Sequence, residues 1–547
     1  MTQVPIQQLM QTAVQHHQAG RLAEAEETYR QILSQVPDHP DVLHFLGVVS
    51  HQRNRAETAA DLIRRAIVIN PAAADYHANL GNVLIDRGLL DEAIAAYRRA
   101  IQLKADHAVA HCNLGNALTD KGLLDEAIAA YRQAIQIEPN HAGAYHGLGI
   151  ALGKSGRVEE AIAAYHQALR IRPEFAMAYV NLGATLRNNG RVEEAIAAYR
   201  RAVQLNPDDA KPHYGLAVAL QINRQWQESL DTYRNAIARG DNYARLDYGM
   251  LLLAMGHWTE GWREMEWWEE VIPGAKRFPQ PPWDGSRAPG KTLLVYCSWG
   301  GYGDAIHLAR FLPLLREKHP DLIFECRKTL APLFAHSFAP VRIVPHDQTL
   351  PHFDLYVRME SLPHLLGITL ENLPALVPYL SAPPQRVAAW AGRVRRDGAL
   401  NVGLVWSDGS TRRAVPIDVF APLAQVPGVR LFSLQKGKQA SQKPPHGMNL
   451  IDYSADLHDF ADTAALVHHL DLIISVDTCV VHLAGAMNKP TWVLISRQSD
   501  WRWLLDRTDS PWYPSVRLFR QGAHDDWMAL TRQMAQELAG TSDRAVK

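Results

Sequence analysis

The sequence predicts a helical repeat array followed by an α/β region with two lobes of parallel sheet. Three observations predict it. The first half repeats itself every 34 residues. A stretch without periodicity, 272–290, is rich in Pro and Gly and reads as a boundary. Beyond it, short apolar runs alternate with helical patterns, the signature of parallel α/β domains. The expected organisation is an array over 1–271, a linker over 272–290, a first lobe over 291–384, an interlobe linker over 385–400, a second lobe over 401–522, a closing helix over 523–540 and a frayed tail over 541–547.

The repeat elements come first. Gly47, Gly81, Gly115, Gly149 and Gly183 recur in step, as do Tyr97, Tyr131, Tyr165, Tyr199 and Tyr233. Ala93, Ala127, Ala161 and Ala195 keep the same period, and Pro71, Pro139, Pro173 and Pro207 close successive units. Small residues let two helices approach, and the tyrosines fill the gap to the next unit. Gly88, Gly122, Gly156 and Gly190 supply the turn between helices. Period and pattern are those of tetratricopeptide repeats, each a helix–turn–helix. Such arrays expose a long concave surface, which implies a protein partner. Asn79, Asn82, Asn113, Asn116 and Asn181 lie on the first helices of their repeats. They are candidates for hydrogen bonding an extended peptide backbone, or simply residues common at those repeat positions. Trp258, Trp262, Trp267 and Trp268 gather where the array ends and are expected in a core joining it to the next domain.

In the second half Lys291–Cys297 reads as a buried strand, followed by a glycine-rich loop (Gly300, Gly301, Gly303) ending in Asp304 and an apolar helix from Ala305 to Lys318. Strands follow near Leu322–Cys326, Val341–Val344 and Leu355–Val357. A second series begins with the strand 401–406, a polar loop through Ser410, Thr411, Arg412 and Arg413, and the strand 429–434. The segment Asp471–Ile495 then reads as a strand (Leu472–Val476), a turn at Asp477–Thr478, a short helix and a second strand (Thr491–Ile495). Thr478 is expected to cap that helix, leaving its first N–H groups for an anion. His482 would face the same crevice, outside the carboxyl ends of the strands, where open α/β sheets bind ligands.

The glycine loop is neither a Walker loop nor a dinucleotide fingerprint, because the spacing and the Lys-Ser/Thr are missing. Asp304 reads either as a helix N-cap or as a carboxylate that takes a proton from a hydroxyl. Arg412 and Arg413 suit a diphosphate in forked geometry, or form a solvated basic loop. Lys436 is a lesser candidate, and Arg393, Arg395 and Arg396 read as solvated.

Composition excludes several classes. The formal net charge of the 547 residues is −1, so no basic field argues for nucleic acid or an anionic membrane. Four dispersed cysteines suit a reducing cytoplasm. No run of about 18 apolar residues predicts a membrane span, and the N-terminus lacks the pattern of a secretion signal. Neither His16-His17 nor His468-His469 has metal-ligand spacing, so no metal site is expected.

With these pieces in hand, the second half resembles glycosyltransferase family 9, the heptosyltransferase-like enzymes of GT-B fold. GGYGDAIHLARFLPLLRE (300–317) resembles the family's first loop and helix, and SVDTCVVHLAGAMNKPTWVLI (475–495) its donor-binding signature. PPWDG, MESLPHLLGI, VPYL, SLQKG and DWRWLLDRTDSPWYPSVRLFRQ resemble a bacterial subgroup that joins tetratricopeptide repeats to this domain. The resemblance implies a tetratricopeptide-repeat solenoid followed by a GT-B domain of two Rossmann-like lobes. It implies an inverting, metal-independent transferase without a cofactor, whose nucleotide-sugar is a substrate. Asp304 would be the general base. Asp477, Thr478, Cys479 and His482 would contact the donor, with Ser410, Thr411 and Arg412 matching more loosely. The acceptor would be a protein or a glycan. Cys479 stands where heptosyltransferases have Gly, and the second-lobe loop lacks their usual Lys. A scaffold carrying a donor-binding but inactive domain is the alternative.

Overall fold

The computed structural model describes residues 5–272, 277–298, 301–374, 376–409, 414–497, 499–522 and 526–545, with side chains to residue 540. The chain divides into two compact units, Met1–Arg239 and Gly240–Lys547.

Among the described residues the first unit consists of fourteen helices, from Ile6–Gln18 to Trp226–Ala238, in seven hairpins. The second helices bury one stripe: Ala93, Ala127, Ala161 and Ala195 are fully buried, and Tyr97, Tyr131, Tyr165, Tyr199 and Tyr233 nearly so. Each hairpin turn holds one residue in the left-handed region. The positions are Gly20, Asn54, Gly88, Gly122, Gly156, Gly190 and Arg224, all 34 apart. The sequence signal was visible only where this residue is glycine; the geometry persists at Asn54 and Arg224, because the helix pair dictates the turn.

The second unit opens with helices Tyr243–Ala254, Trp258–Met265 and Trp268–Val271. The expected array boundary at Val271 thus differs from the division at Arg239. The reason is aromatic: Trp258 stacks on Trp512 at 4.7 Å, and Trp262 meets Trp501 edge-on at 5.0 Å. These tryptophans belong to the core of the α/β unit.

Two parallel sheets follow. The first contains β1 (Leu293–Tyr296), β2 (Leu322–Cys326), β3 (Arg342–Pro345) and β4 (Leu355–Arg358) in the order β3-β2-β1-β4. The second contains β5 (Leu400–Val405), β6 (Val429–Ser433), β7 (Leu450–Asp452), β8 (Leu472–Val476), β9 (Thr491–Ile495) and β10 (Val516–Arg520) in the order β10-β9-β8-β5-β6-β7. Every ladder in both sheets is parallel. Numbered within itself, the second sheet runs 3-2-1-4-5-6, the doubly wound order. β1, β2 and β8 are buried at every residue, as strands covered on both faces must be. That burial is why they read as largely apolar runs, interrupted only by Glu325 and Ser475. β7 and β10 escaped the sequence reading because β7 has three residues and β10 interleaves Arg517 and Arg520.

Both expected connectors are built into the fold. Within 272–290, Trp283 is buried, its N–H donates to Tyr356 O at 2.7 Å, and Phe278 packs edge-on against Tyr296 at 5.3 Å. Prolines remove periodicity without preventing burial of the aromatics between them. Within 385–400, Trp390 of the helix Pro384–Trp390 and Val394 sit in a core shared by both sheets. The last helix runs Trp527–Ala545, past Gly540 and into the expected tail. The apolar helix after Asp304 is likewise broken into Tyr302–Leu308, a 3₁₀ turn and Leu312–Lys318, with Pro313 at the restart.

Candidate functional site

In each sheet the strand order reverses beside the first strand of the series, between β1 and β4 and between β5 and β8. Loops leaving the carboxyl ends there diverge and open a crevice. A cleft of about 1010 Å³ occupies this place. The first sheet contributes Gly301–Asp304 and Thr329, and the second Ser407–Gly409, Gln435–Gln439, Asp477–Val480, His482 and Asp500–Arg502.

Thr478 caps the helix Cys479–Ala486, as expected: its Oγ1 accepts from Val480 N at 3.3 Å and lies 3.0 Å from Ser475 Oγ. Asp477 and Cys479 line the cleft beside it. Burial pushes the Cys479 thiol up to about 11, against the backbone N–H groups of Cys479 and Val480. The thiol is therefore neutral at physiological pH and a poor nucleophile.

His482 is fixed on two sides. Its ring stacks on Trp503 at 5.4 Å and 13°, and Nδ1 lies 3.0 Å from Tyr513 Oη. The bond sets the ring plane in either tautomer. A third neighbour explains Gly303, where a Cβ would come within 3.1 Å of His482 Cδ2. The glycine loop of the first sheet thus touches the capped helix of the second. Behind it lies His307, fully buried. Burial holds His307 well below its ordinary pKa, with Arg310, His482 and Arg502 adding to the effect.

Asp304 is not the N-cap. Gly301 holds that position, and Asp304 lies in the first turn of the helix Tyr302–Leu308. Its carboxylate pairs with the guanidinium of Arg502. That arginine side chain is 8% exposed and also bonds Asp500 Oδ1 at 2.6 Å. Burial alone would lower the Arg502 pKa, but the carboxylates of Asp500, Asp304 and Asp477 outweigh it and raise it. Sequence reasoning missed Arg502 and Asp500. The available signal was their place just beyond the buried run Thr491–Ile495 at a strand's carboxyl end.

The remaining candidates divide. Gly300, Ser410, Thr411, Arg412 and Arg413 lie outside the described residues. Lys436 reaches the cleft, but its Nζ donates to Ser454 O at 2.6 Å and Leu457 O at 2.9 Å, so it braces a loop. Gln435 binds the chain between Trp406 and Ser407: Oε1 accepts from both N–H groups at 3.1 and 3.0 Å. No group of three or more His, Cys, Asp or Glu suited to a metal occurs among the described residues. No helix there is long and apolar enough to cross a membrane.

The repeat asparagines each engage a neighbouring side chain. Asn79 lies 2.8 Å from His44 Nε2, and Asn181 2.8 Å from His146 Nε2. Asn113 donates to Asn82 Oδ1 at 2.9 Å. Asn82 and Asn116 accept from Tyr97 and Tyr131 at 2.8 and 2.7 Å. The row is also interrupted, because Gly147 and Gly215 stand one and three repeats after Asn113.

Comparison with known proteins bears on the first unit above all. The tetratricopeptide-repeat family matches residues 16–78 and 146–210, and a second TPR-repeat family matches 81–122 and 115–156. Protein FlbA of Caulobacter vibrioides is 30% identical over 324 residues, covering 53% of this chain and 53% of that protein. The chain therefore spans about half the length of that relative. Among solved structures, MamA is similar at 25% identity, over 30% of this chain and 95% of that one, with a TM-score of 0.28. YrrB, described as a TPR protein with an unusual peptide-binding site, is similar at 23% identity, over 34% and 96% of the two chains, with a TM-score of 0.30. Segments 16–78 and 81–210 of this chain are tetratricopeptide repeats, a helical protein–protein interaction scaffold, and an α/β region with parallel sheets follows them.

Proposed function

We propose that the α/β unit is a cytoplasmic, metal-independent, inverting glycosyltransferase, and that the repeats recruit its acceptor, a protein. One observation carries this reading. A carboxylate from the first sheet, Asp304, and a capped helix start from the second, with Asp477, Thr478 and His482, face one cleft of about 1010 Å³. The resemblance of 300–317 and 475–495 to glycosyltransferase family 9 supports it.

The chemistry follows from the two sides of the cleft. The diphosphate of a nucleotide-sugar would rest at the start of the helix Cys479–Ala486, where about half a positive charge from the helix dipole favours an anion. The acceptor hydroxyl would give its proton to Asp304 and attack the anomeric carbon from the opposite face. The new glycosidic C–O bond forms as the sugar–phosphate bond breaks, and the nucleoside diphosphate leaves with the electron pair. General-base assistance of this kind is worth about 10²–10⁴-fold. His482, and Arg412 from the polar loop, would stabilise the charge on the leaving diphosphate.

A panel of nucleotide-sugars, scored by nucleotide release with Asp304→Ala and His482→Ala alongside, tests the reading. Release that falls about 10²-fold or more in Asp304→Ala is expected. Unchanged release in that variant removes Asp304 as the base. One observation favours a second reading: Asp304 is already paired with Arg502, as it would be in a scaffold domain that binds a donor without turning it over. Donor binding with no release across the panel would establish that instead.

A further inference from the structure

We propose that Arg502 is the positioning residue for Asp304, and that with Gly301 it decides which carboxylate oxygen receives the acceptor's proton. The inference rests on the transferase reading and deepens it.

Arg502 is a braced arm. Its backbone N–H and its Nη1 both donate to Asp500 Oδ1, at 3.1 and 2.6 Å. The guanidinium lies over the Trp501 ring at 4.4 Å. Buried and tethered in this way, it offers Nη2 to Asp304 Oδ1. Orientation of the Asp304 carboxylate, on the first sheet's loop, is thus set from the loop after β9.

With Oδ1 engaged, Oδ2 remains on the side of Gly301. A Cβ on Gly301 would stand 2.4 Å from Oδ2, so only glycine leaves room beside that oxygen for an incoming hydroxyl. Oδ2 is the atom that accepts the proton, and Oδ1 keeps its charge against the guanidinium.

Arg502 faces Asp304 directly, and Asp500 and Asp477 act on Arg502 from the loops after β9 and β8. Replacing Arg502 with a neutral side chain removes the donor that holds Oδ1 and leaves the carboxylate free to turn.

The test uses the full chain with the donor that it turns over. Arg502→Gln is expected to lower kcat about 10²-fold, the usual effect of a misplaced catalytic group. KM for the donor should stay within about threefold. Arg502→Lys, which keeps a charged donor, should recover part of the lost kcat. Gly301→Ala should lower kcat with donor KM likewise little changed. A kcat unchanged in Arg502→Gln overturns the proposal. So does a loss confined to donor KM, which would make Arg502 a donor ligand.

A readout independent of turnover separates this inference from the reading beneath it. Thermal midpoints at pH 7 are compared for Asp304→Asn, Arg502→Lys and the double variant. A double variant no less stable than the worse single variant establishes that the two residues act as a pair. Additive losses overturn the pairing, whatever the activity. Coupling with no turnover on any donor would leave the contact standing and sink the transferase reading alone.

Discussion

Gly147 and Gly153 lie on one helix, Ala142–Lys154, and the same substitution should act on them with opposite sign. A Cβ on Gly147 would meet Tyr131 Cε1 at 2.4 Å and Cζ at 2.5 Å. Tyr131 cannot retreat. It is 1% exposed, its other side lies against Gly115, where a Cβ would stand 2.7 Å away, and its hydroxyl donates to Asn116 Oδ1 at 2.7 Å. Relieving the contact requires the ring or the helix to move by about 1 Å, an overpacking of about 1–3 kcal/mol. Helix propensity offsets part of it, because Ala is better than Gly by about 0.8–1.0 kcal/mol. Gly147→Ala should therefore lose up to about 2 kcal/mol. A Cβ on Gly153 finds nothing nearer than 3.9 Å, so Gly153→Ala should gain up to about 1 kcal/mol. Both variants share the propensity term, so their difference isolates the clash. Hydrogen exchange on the full chain in graded urea, read on peptides within Leu124–Ile137 and Ala142–Lys154, measures local stability without assuming one global transition. Equal effects of the two substitutions, or a more stable Gly147→Ala, would refute the account of how tyrosine and glycine interlock between repeats.

Three further outcomes are expected. Arg224 adopts φ 61° at the turn position where five repeats carry glycine; Arg224→Gly should stabilise its hairpin by about 1 kcal/mol and Gly156→Ala should destabilise its own by a similar amount, both read by the same exchange experiment. Burial lowers the His44 pKa to about 4, with Asp75 and Asp41 opposing. The folded value lies below the unfolded one, so this contribution is complete above about pH 6.5 and is lost as the pH falls to 4, up to about 3 kcal/mol. His44→Leu should flatten the pH dependence of exchange in the helix Pro40–Gln52, and an unchanged slope would count against it. Cys479, with its thiol raised to about 11, should react with iodoacetamide at pH 8 roughly 10²-fold more slowly than a free thiol, as mass spectrometry of the 479-containing peptide would report.

Much of the fold was legible because its signals are local. The 34-residue step of Gly, Ala and Tyr marks helix pairs that meet their own neighbours. β8 and β9 have the bounds expected of them, since a strand covered on both faces is largely apolar along its length. Thr478 was legible as a cap because capping involves residues two apart in sequence. The connectors were not: Trp283 and Trp390 are core residues embedded in Pro- and Arg-rich surroundings that hide any period.

The sequence by itself determined the repeat array, most strands and the loop chemistry at Asp304 and Thr478–His482. Only the tertiary structure decided that Gly303 abuts His482, that His307 is sealed without charge, and that Arg502 pairs with Asp304 across 198 positions of chain. Backbone periodicity and capping depend on near neighbours. Ion pairs between loops depend on where two separate sheets end in space, and no local pattern of residues encodes that.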